Sequence, residues 1–305
     1  MSKIVAGHVS KRYDTVQALD DFSFEVAQGE IVALLGPDGA GKTSLMRIIC
    51  NLIDPEPHPE TTLTINGLDI RTHFDEIKSE IGYMPQTFSL YPDLSVEENM
   101  TFYAGIYGFR GDEYRRMRDR MYEFSNLGPF AKRRAGALSG GMKQKLALSC
   151  ALMHNPGILV LDEPTTGVDP LSRRQFWEML LDLRKQGVTI LVATPYMDEV
   201  ERTDRAVCLL DGRKLTEAAP TELAKQFEGT IYELAQEPTR DLIQKLNAID
   251  GLTVRRFGSG AHVYISEQDS IDAYLDQLTG AGADRDKLEK IAPSIEDRFI
   301  QLMEK

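Results

Sequence analysis

The residues best equipped for chemistry are Gly36-Pro37-Asp38-Gly39-Ala40-Gly41-Lys42-Thr43-Ser44, which fit the spacing GxxxxGK[ST]. In such a loop glycines let backbone N–H groups close around a phosphate, and Lys42 would neutralise β- and γ-oxygens. Thr43 would ligate Mg²⁺. A lone loop of this kind could be a chance turn, but Asp162-Glu163 follow the apolar run Ile158-Leu159-Val160-Leu161 further along. An acid at the end of such a strand holds the metal, so Asp162 is expected in the Mg²⁺ shell. Glu163, one residue further, is placed to orient and deprotonate an attacking water.

A second glycine-rich segment, Leu138-Ser139-Gly140-Gly141-Met142-Lys143-Gln144, precedes Leu146, Cys150 and Met153, an apolar face at helical spacing. Glycines at a helix N-terminus beside a serine hydroxyl make another anion site, because unsatisfied N–H groups converge there. An ordinary cap would need Ser139 alone.

These residues need a rigid frame. The short apolar runs Ile31-Val32-Ala33-Leu34-Leu35, Ile158-Leu159-Val160-Leu161, Ile190-Leu191-Val192-Ala193 and Val207-Cys208-Leu209-Leu210 read as strands buried on both faces. With helical patterns between them they predict an α/β core with a mostly parallel sheet. Ile4 to His8, Phe22 to Val26 and Thr62 to Ile65, the last ending at the turn Asn66-Gly67, predict a small antiparallel sheet beside it. From Ser95 to Ser149 helix-forming sequence dominates, with Val96 to Tyr107, Asp112 to Leu127 and Met142 to Met153 as helices. After Leu215 the order becomes strand near Tyr232, helix Arg240 to Leu246, strands Thr253 to Phe257 and His262 to Ser266, helix Ile271 to Leu278, strand Lys287 to Ile291. That βαββαβ order predicts a ferredoxin-like domain, followed by a last helix from Ser294 to Met303.

The formal net charge of −12 repels phosphate backbones at long range, which argues against nucleic acid as a partner. The three cysteines, Cys50, Cys150 and Cys208, lie in no metal or disulfide spacing and suit a reducing cytoplasm. No apolar run approaches the roughly 20 residues of a membrane-spanning helix, and Met1 to Val9 is no signal peptide.

Together the two glycine-rich segments and Asp162-Glu163 make the chain resemble the ATPase subunit of an ABC transporter over residues 1–215, with a helical subdomain at about 87–155 and a separate α+β domain at 216–305. The resemblance implies ATP and Mg²⁺ as cofactors, with Gly36, Asp38, Gly39, Ala40, Gly41, Lys42, Thr43 and Ser44 around the phosphates and Tyr13 stacked on adenine. It implies that Gln86 senses Mg²⁺ and the attacking water, that residues Thr87 to Leu94 receive a transmembrane subunit, and that Asp169, in Thr166-Gly167-Val168-Asp169-Pro170, communicates between two ATPase subunits. Asp169 as a helix cap with Pro170 at the first helical position is an equally good structural reading. In the family the signature of one subunit, here Ser139, Gly140, Gly141 and Gln144, closes on the ATP of another. The expected partners are therefore transmembrane permease subunits and a second ATPase subunit, either a copy or a paralogue, at the cytoplasmic face of the membrane.

One position departs from the family. Pro195, in Thr194-Pro195-Tyr196-Met197-Asp198-Glu199, stands where a histidine usually contacts the γ-phosphate. Proline offers neither a side-chain donor nor an N–H. Loss of one such donor costs roughly 3 to 4 kcal/mol, or about a hundredfold to a thousandfold in rate, so a slow site is expected. Tyr91 to Asn99 and the ending Pro293-Ser294-Ile295-Glu296-Asp297 resemble the multidrug and antibiotic exporter branch, implying export of a drug or lipid-like small molecule. A soluble ABC ATPase acting on ribosomes or DNA, and a nucleotide-binding regulator without turnover, are the alternatives.

Overall fold

The computed structural model describes residues 2–266 and 268–304, which divide into two compact units, Met1–Pro220 and Thr221–Lys305. In the first, a parallel sheet carries the site. Ile31–Leu35, Ile158–Asp162 and Thr189–Thr194 are its buried centre, because strands covered on both faces must be apolar throughout. Ile31–Leu35 pairs with Thr189–Thr194 and with Arg205–Leu210, and Ile158–Asp162 pairs with Thr189–Thr194, all parallel. This register aligns Leu35 with Thr194, and Asp162 with Ala193, so the loops that follow leave the same edge of the sheet. Ligands bind at that edge in open α/β sheets.

Two strands of this sheet escape the run-of-apolars pattern. Ile81–Met84 pairs parallel with Ile158–Asp162 at one edge but is interrupted by Gly82. Arg213–Ala218 pairs antiparallel with Arg205–Leu210 at the other edge and is largely polar, as a solvated edge strand can be. The smaller sheet is antiparallel, as expected, but its first two strands are longer than the apolar alternation indicates: Ser2–Tyr13 and Val16–Ala27 form one hairpin through Asp14-Thr15. Thr62–Ile65 adds to it.

The helical region contains Val96–Ile106, Gly111–Ser125 and Gly140–Ala151. Ser95 starts the first with a capping box, accepting from the Glu98 N–H while Glu98 accepts from the Ser95 N–H.

The second unit has four antiparallel strands, Thr230–Leu234, Thr253–Phe257, Gly260–Ile265 and Leu288–Ile291. The first pairs with the third and fourth, and the second with the third, which is the ferredoxin-like order. Helices Arg240–Leu246 and Leu275–Ala281 supply the crossovers. The second crossover starts as a short 3-10 turn at Ile271–Ala273, where the Ser270 side chain draws in the Asp272 N–H. The final helix, Ile295–Met303, is anchored by Asp297. That fully buried carboxylate accepts from His262 Nδ1 at 2.8 Å, Tyr264 OH at 2.7 Å, the Ser294 N–H at 2.8 Å and Ser294 Oγ at 2.5 Å.

Candidate nucleotide-binding site

The glycine-rich loop leaves Leu35 and enters the helix Lys42–Ile49, whose N-cap, Gly41, sits at φ 106°. A Cβ there would lie 2.2 Å from the Ala18 carbonyl oxygen, so backbone conformation and close approach both require glycine. The helix has no side-chain cap, which leaves its N-terminal N–H groups free for an anion. A cavity of about 350 Å³ opens over the loop, lined by Asp38, Gly39, Ala40, Gly41, Lys42, Thr43 and Ser44 together with Tyr13, Gln86 and Glu163. Val16 and Ala18 complete the lining. Tyr13 is half exposed and its hydroxyl lies 3.5 Å from Ser44 Oγ.

The charged groups are buried around that opening. Lys42 Nζ donates to the Gly36 carbonyl at 2.8 Å and the Pro37 carbonyl at 3.0 Å, and stands 3.7 Å from Glu163 Oε1. Those carbonyls hold the ammonium at the floor of the loop, where an incoming phosphate would meet it. Thr43 Oγ1 donates to Asp162 Oδ1 at 3.1 Å, while Asp162 Oδ2 is buried without a partner. Burial pushes the Asp162 carboxyl above its usual range, against the Thr43 hydrogen bond. An orphaned carboxylate oxygen beside a hydroxyl is a hard-oxygen donor set suited to a divalent cation.

Glu163 is 6 % exposed and adopts φ 48°, beyond the end of its strand. Its N–H is held by the Ala193 carbonyl at 3.0 Å, and its positive φ takes the side chain out of the strand alternation. Oε2 accepts from Gln86 Nε2 at 2.9 Å and from Thr166 Oγ1 at 3.3 Å. A buried carboxylate so placed can receive a proton from a water between it and the phosphate loop.

Ser139, Gly140, Gly141, Gln144 and Asp169 do not line this cavity. Ser139 caps the helix Gly140–Ala151 by accepting from the Met142 N–H. A Cβ on Gly141 would sit 2.4 Å from Ser172 Cβ, whereas one on Gly140 would meet nothing nearer than the Gly167 carbonyl at 3.6 Å. Gly141 is thus needed for packing within this chain, and Gly140 is exposed. Asp169 caps the helix Pro170–Lys185 by accepting from the Ser172 N–H at 2.9 Å, with Pro170 at the first position.

A network behind the site escaped the sequence. Glu199, wholly buried, accepts from Thr194 Oγ1 at 2.6 Å and from Thr165 Oγ1, with Arg173 Nε 3.7 Å away. The Arg173 guanidinium lies 4.0 Å over the Tyr196 ring. The network ties the end of strand Thr189–Thr194 to the turn after Glu163. Its sequence signal is slight: a glutamate five residues after a strand-end threonine looks like a helix start. Pro195 is half-buried and does not line the cavity.

Strand, phosphate loop, helix and a strand-end Asp-Glu pair on a parallel sheet define a P-loop nucleoside triphosphatase. Comparison with known proteins narrows the class. Residues 19–166 match the ABC transporter family. The chain is 39 % identical over 274 residues to "Nod factor export ATP-binding protein I" of Burkholderia thailandensis, covering 89 % of each chain. It is 40 % identical over 223 residues to "Probable multidrug ABC transporter ATP-binding protein YbhF" of Escherichia coli, 73 % of this chain but only 38 % of that one. The fold superposes on the "ATP binding subunit of ABC transporter" with TM-score 0.65, 30 % identity, and coverage of 73 % of this chain and 92 % of the other. A dimeric ATP-binding cassette in a post-hydrolysis state, bound to ADP and Pi, matches with TM-score 0.64 and 27 % identity over 71 % of this chain and 98 % of its own. The chain belongs to the ABC transporter family, among its ATP-binding ATPase subunits.

Proposed function

We propose that this chain binds Mg²⁺-ATP at the Gly36–Ser44 loop and hydrolyses it with Glu163 as general base, powering export of a drug-like or lipid-like small molecule through separate membrane-spanning subunits. The observation that carries this is the convergence of Glu163, Lys42 and Gln86 at the mouth of one phosphate cavity. Thr43, Asp162 and Gln86 would hold the cation, which would supply charge neutralisation to the bound phosphates. Lys42 takes the γ-oxygens, Tyr13 offers its exposed face to the base, and Glu163 accepts the proton of the attacking water.

Export as the use of that energy is supported by the two exporter relatives, whose names specify multidrug transport and Nod factor export. Among the described residues no helix is long and apolar enough to cross a membrane, and the reading assigns the conducting path to other subunits. The helical region and its flanks expose Tyr91, Phe102, Ile106 and Tyr107, with Leu52 exposed as well, and an apolar surface of this kind suits docking of such subunits. Of these, Tyr91 belongs to the segment Thr87 to Leu94. Ser139, Gly140, Gly141 and Gln144 would complete the ATP site of a second ATPase subunit, and Asp169 would lie at that junction. Pro195 makes this chain's own site slow, so an asymmetric pair is the economical arrangement.

Purified full chain tests the chemistry. Glu163→Gln is expected to retain nucleotide and lose hydrolysis by about a hundredfold or more, while Lys42→Ala loses both. Undiminished turnover in Glu163→Gln would refute the assignment. For docking, Phe102→Glu with Ile106→Glu is expected to abolish co-purification with a multispanning membrane protein, and unchanged recovery would reject that surface.

A further inference from the structure

Two side chains donate to Glu163 and a third, Lys42, stands opposite it as an ion-pair partner, and the three differ in what else binding asks of them. Lys42 approaches Oε1 at 3.7 Å but belongs to the phosphate loop, where nucleotide claims it. Gln86 donates to Oε2 at 2.9 Å but sits between strand Ile81–Met84 and the helical region, and in the proposed function it turns toward the cation. Thr166 donates to the same Oε2 at 3.3 Å and is built into Glu163's own turn, its N–H bonded to the Glu163 carbonyl at 3.2 Å. Its position relative to Glu163 is therefore fixed by the backbone and does not depend on ligand.

The strand-end residues on the other side supply nothing comparable. Thr194 Oγ1 is committed to buried Glu199 at 2.6 Å, and Pro195 has no donor. A carboxylate at φ 48° needs a local donor if the oxygen facing water is to stay in one place once Lys42 and Gln86 turn to the nucleotide.

We propose that Thr166 is the positioning residue of the reaction: its hydroxyl holds Glu163 Oε2, leaving the other carboxylate oxygen aimed at the attacking water. Thr166 opens the segment running through Gly167 and Val168 to Asp169, the cap of helix Pro170–Lys185. The role rests on Glu163 being the base, as proposed above.

The test is single-turnover hydrolysis of ATP by the full chain, with enzyme in excess so that a slow site is still measured. Thr166→Val keeps the shape and removes the donor, and Thr166→Ser keeps the donor. Thr166→Val is expected to lower the maximal rate about tenfold, the loss of one hydrogen bond to a charged acceptor. The half-saturating concentration, binding of a fluorescent ATP analogue and thermal unfolding should not move, and Thr166→Ser should restore the rate to within about twofold. A wild-type rate in Thr166→Val overturns the proposal. So does a loss confined to nucleotide affinity, or an equal loss in Thr166→Ser. Glu163→Gln runs alongside: if it hydrolyses ATP at the wild-type rate, the base assignment itself fails, and the role of Thr166 falls with it.

Discussion

Asp297→Ala should uncouple the last helix from the sheet of the second unit. In the native state the Asp297 carboxylate is fully buried and accepts from His262, Tyr264 and Ser294, the last through both its N–H and its hydroxyl. Removing it leaves a buried imidazole N–H, a phenol and a helix-capping serine without their common acceptor. Leaving a buried donor without its acceptor costs about 1 to 3 kcal/mol, and two such donors together with the lost capping box bring the sum to about 3 kcal/mol or more. A unit of this size shifts its midpoint by roughly 4 to 8 °C per kcal/mol, so a fall of more than about 12 °C is expected. Hydrogen exchange read on strand Gly260–Ile265 and helix Ile295–Met303 of the full chain assigns the change to this unit.

Acid provides a second reading of the same group. Burial pushes the Asp297 carboxyl up, but the hydrogen bonds from Ser294, His262 and Tyr264 outweigh it and hold the group below the usual carboxylate range. A carboxyl with a lowered folded-state pKa adds stability that is complete above its unfolded value, about 3.9, and fades as pH falls through the folded value. The wild type should therefore lose its margin over Asp297→Asn only below about pH 4. A variant within about 0.5 kcal/mol of wild type at neutral pH, or a margin constant down to acid, would refute the argument.

Gly141→Ala should destabilise the first unit by about 1 to 3 kcal/mol, since the new methyl would lie 2.4 Å from Ser172 Cβ; urea unfolding checks this, and Ser172→Gly should recover most of the loss. Cys50 and Cys150 are fully buried, and burial pushes both thiols well above their usual range. They should stay unreactive toward a thiol reagent near pH 8 until the chain unfolds, as colorimetric titration with and without denaturant will show. Pro195→His is expected to raise turnover about tenfold or more by supplying the donor that proline lacks; no gain in steady-state hydrolysis by a folded variant would remove Pro195 as the cause of a slow site.

The parts of this molecule legible in the sequence are those governed by local rules. Buried parallel strands had to be continuous apolar runs, and the phosphate loop had to follow one of them. Ser95 and Ser294 announced helix starts because capping is a contact across three residues. Arg213–Ala218 was invisible because an edge strand half in water needs no apolar pattern. Gly82 broke the one run that would have marked Ile81–Met84. Within the site, spacing located Lys42, Asp162 and Glu163 individually. The bond from Gln86 to Glu163 spans 77 positions and depends on the pairing of two strands, which no local pattern encodes.

The contact at Gly141 has a mechanical meaning. Ser172, against which that glycine is pressed, is the residue whose N–H is bound by Asp169, and the same short connection begins at Thr166 beside Glu163. The start of helix Gly140–Ala151 and the turn carrying Glu163 thus bear on one helix end, that of Pro170–Lys185. Close-packed interiors transmit displacement because they cannot absorb it. A displacement of buried Gly141 therefore bears directly on Ser172 and, through the Asp169 cap, on the short connection that begins beside Glu163.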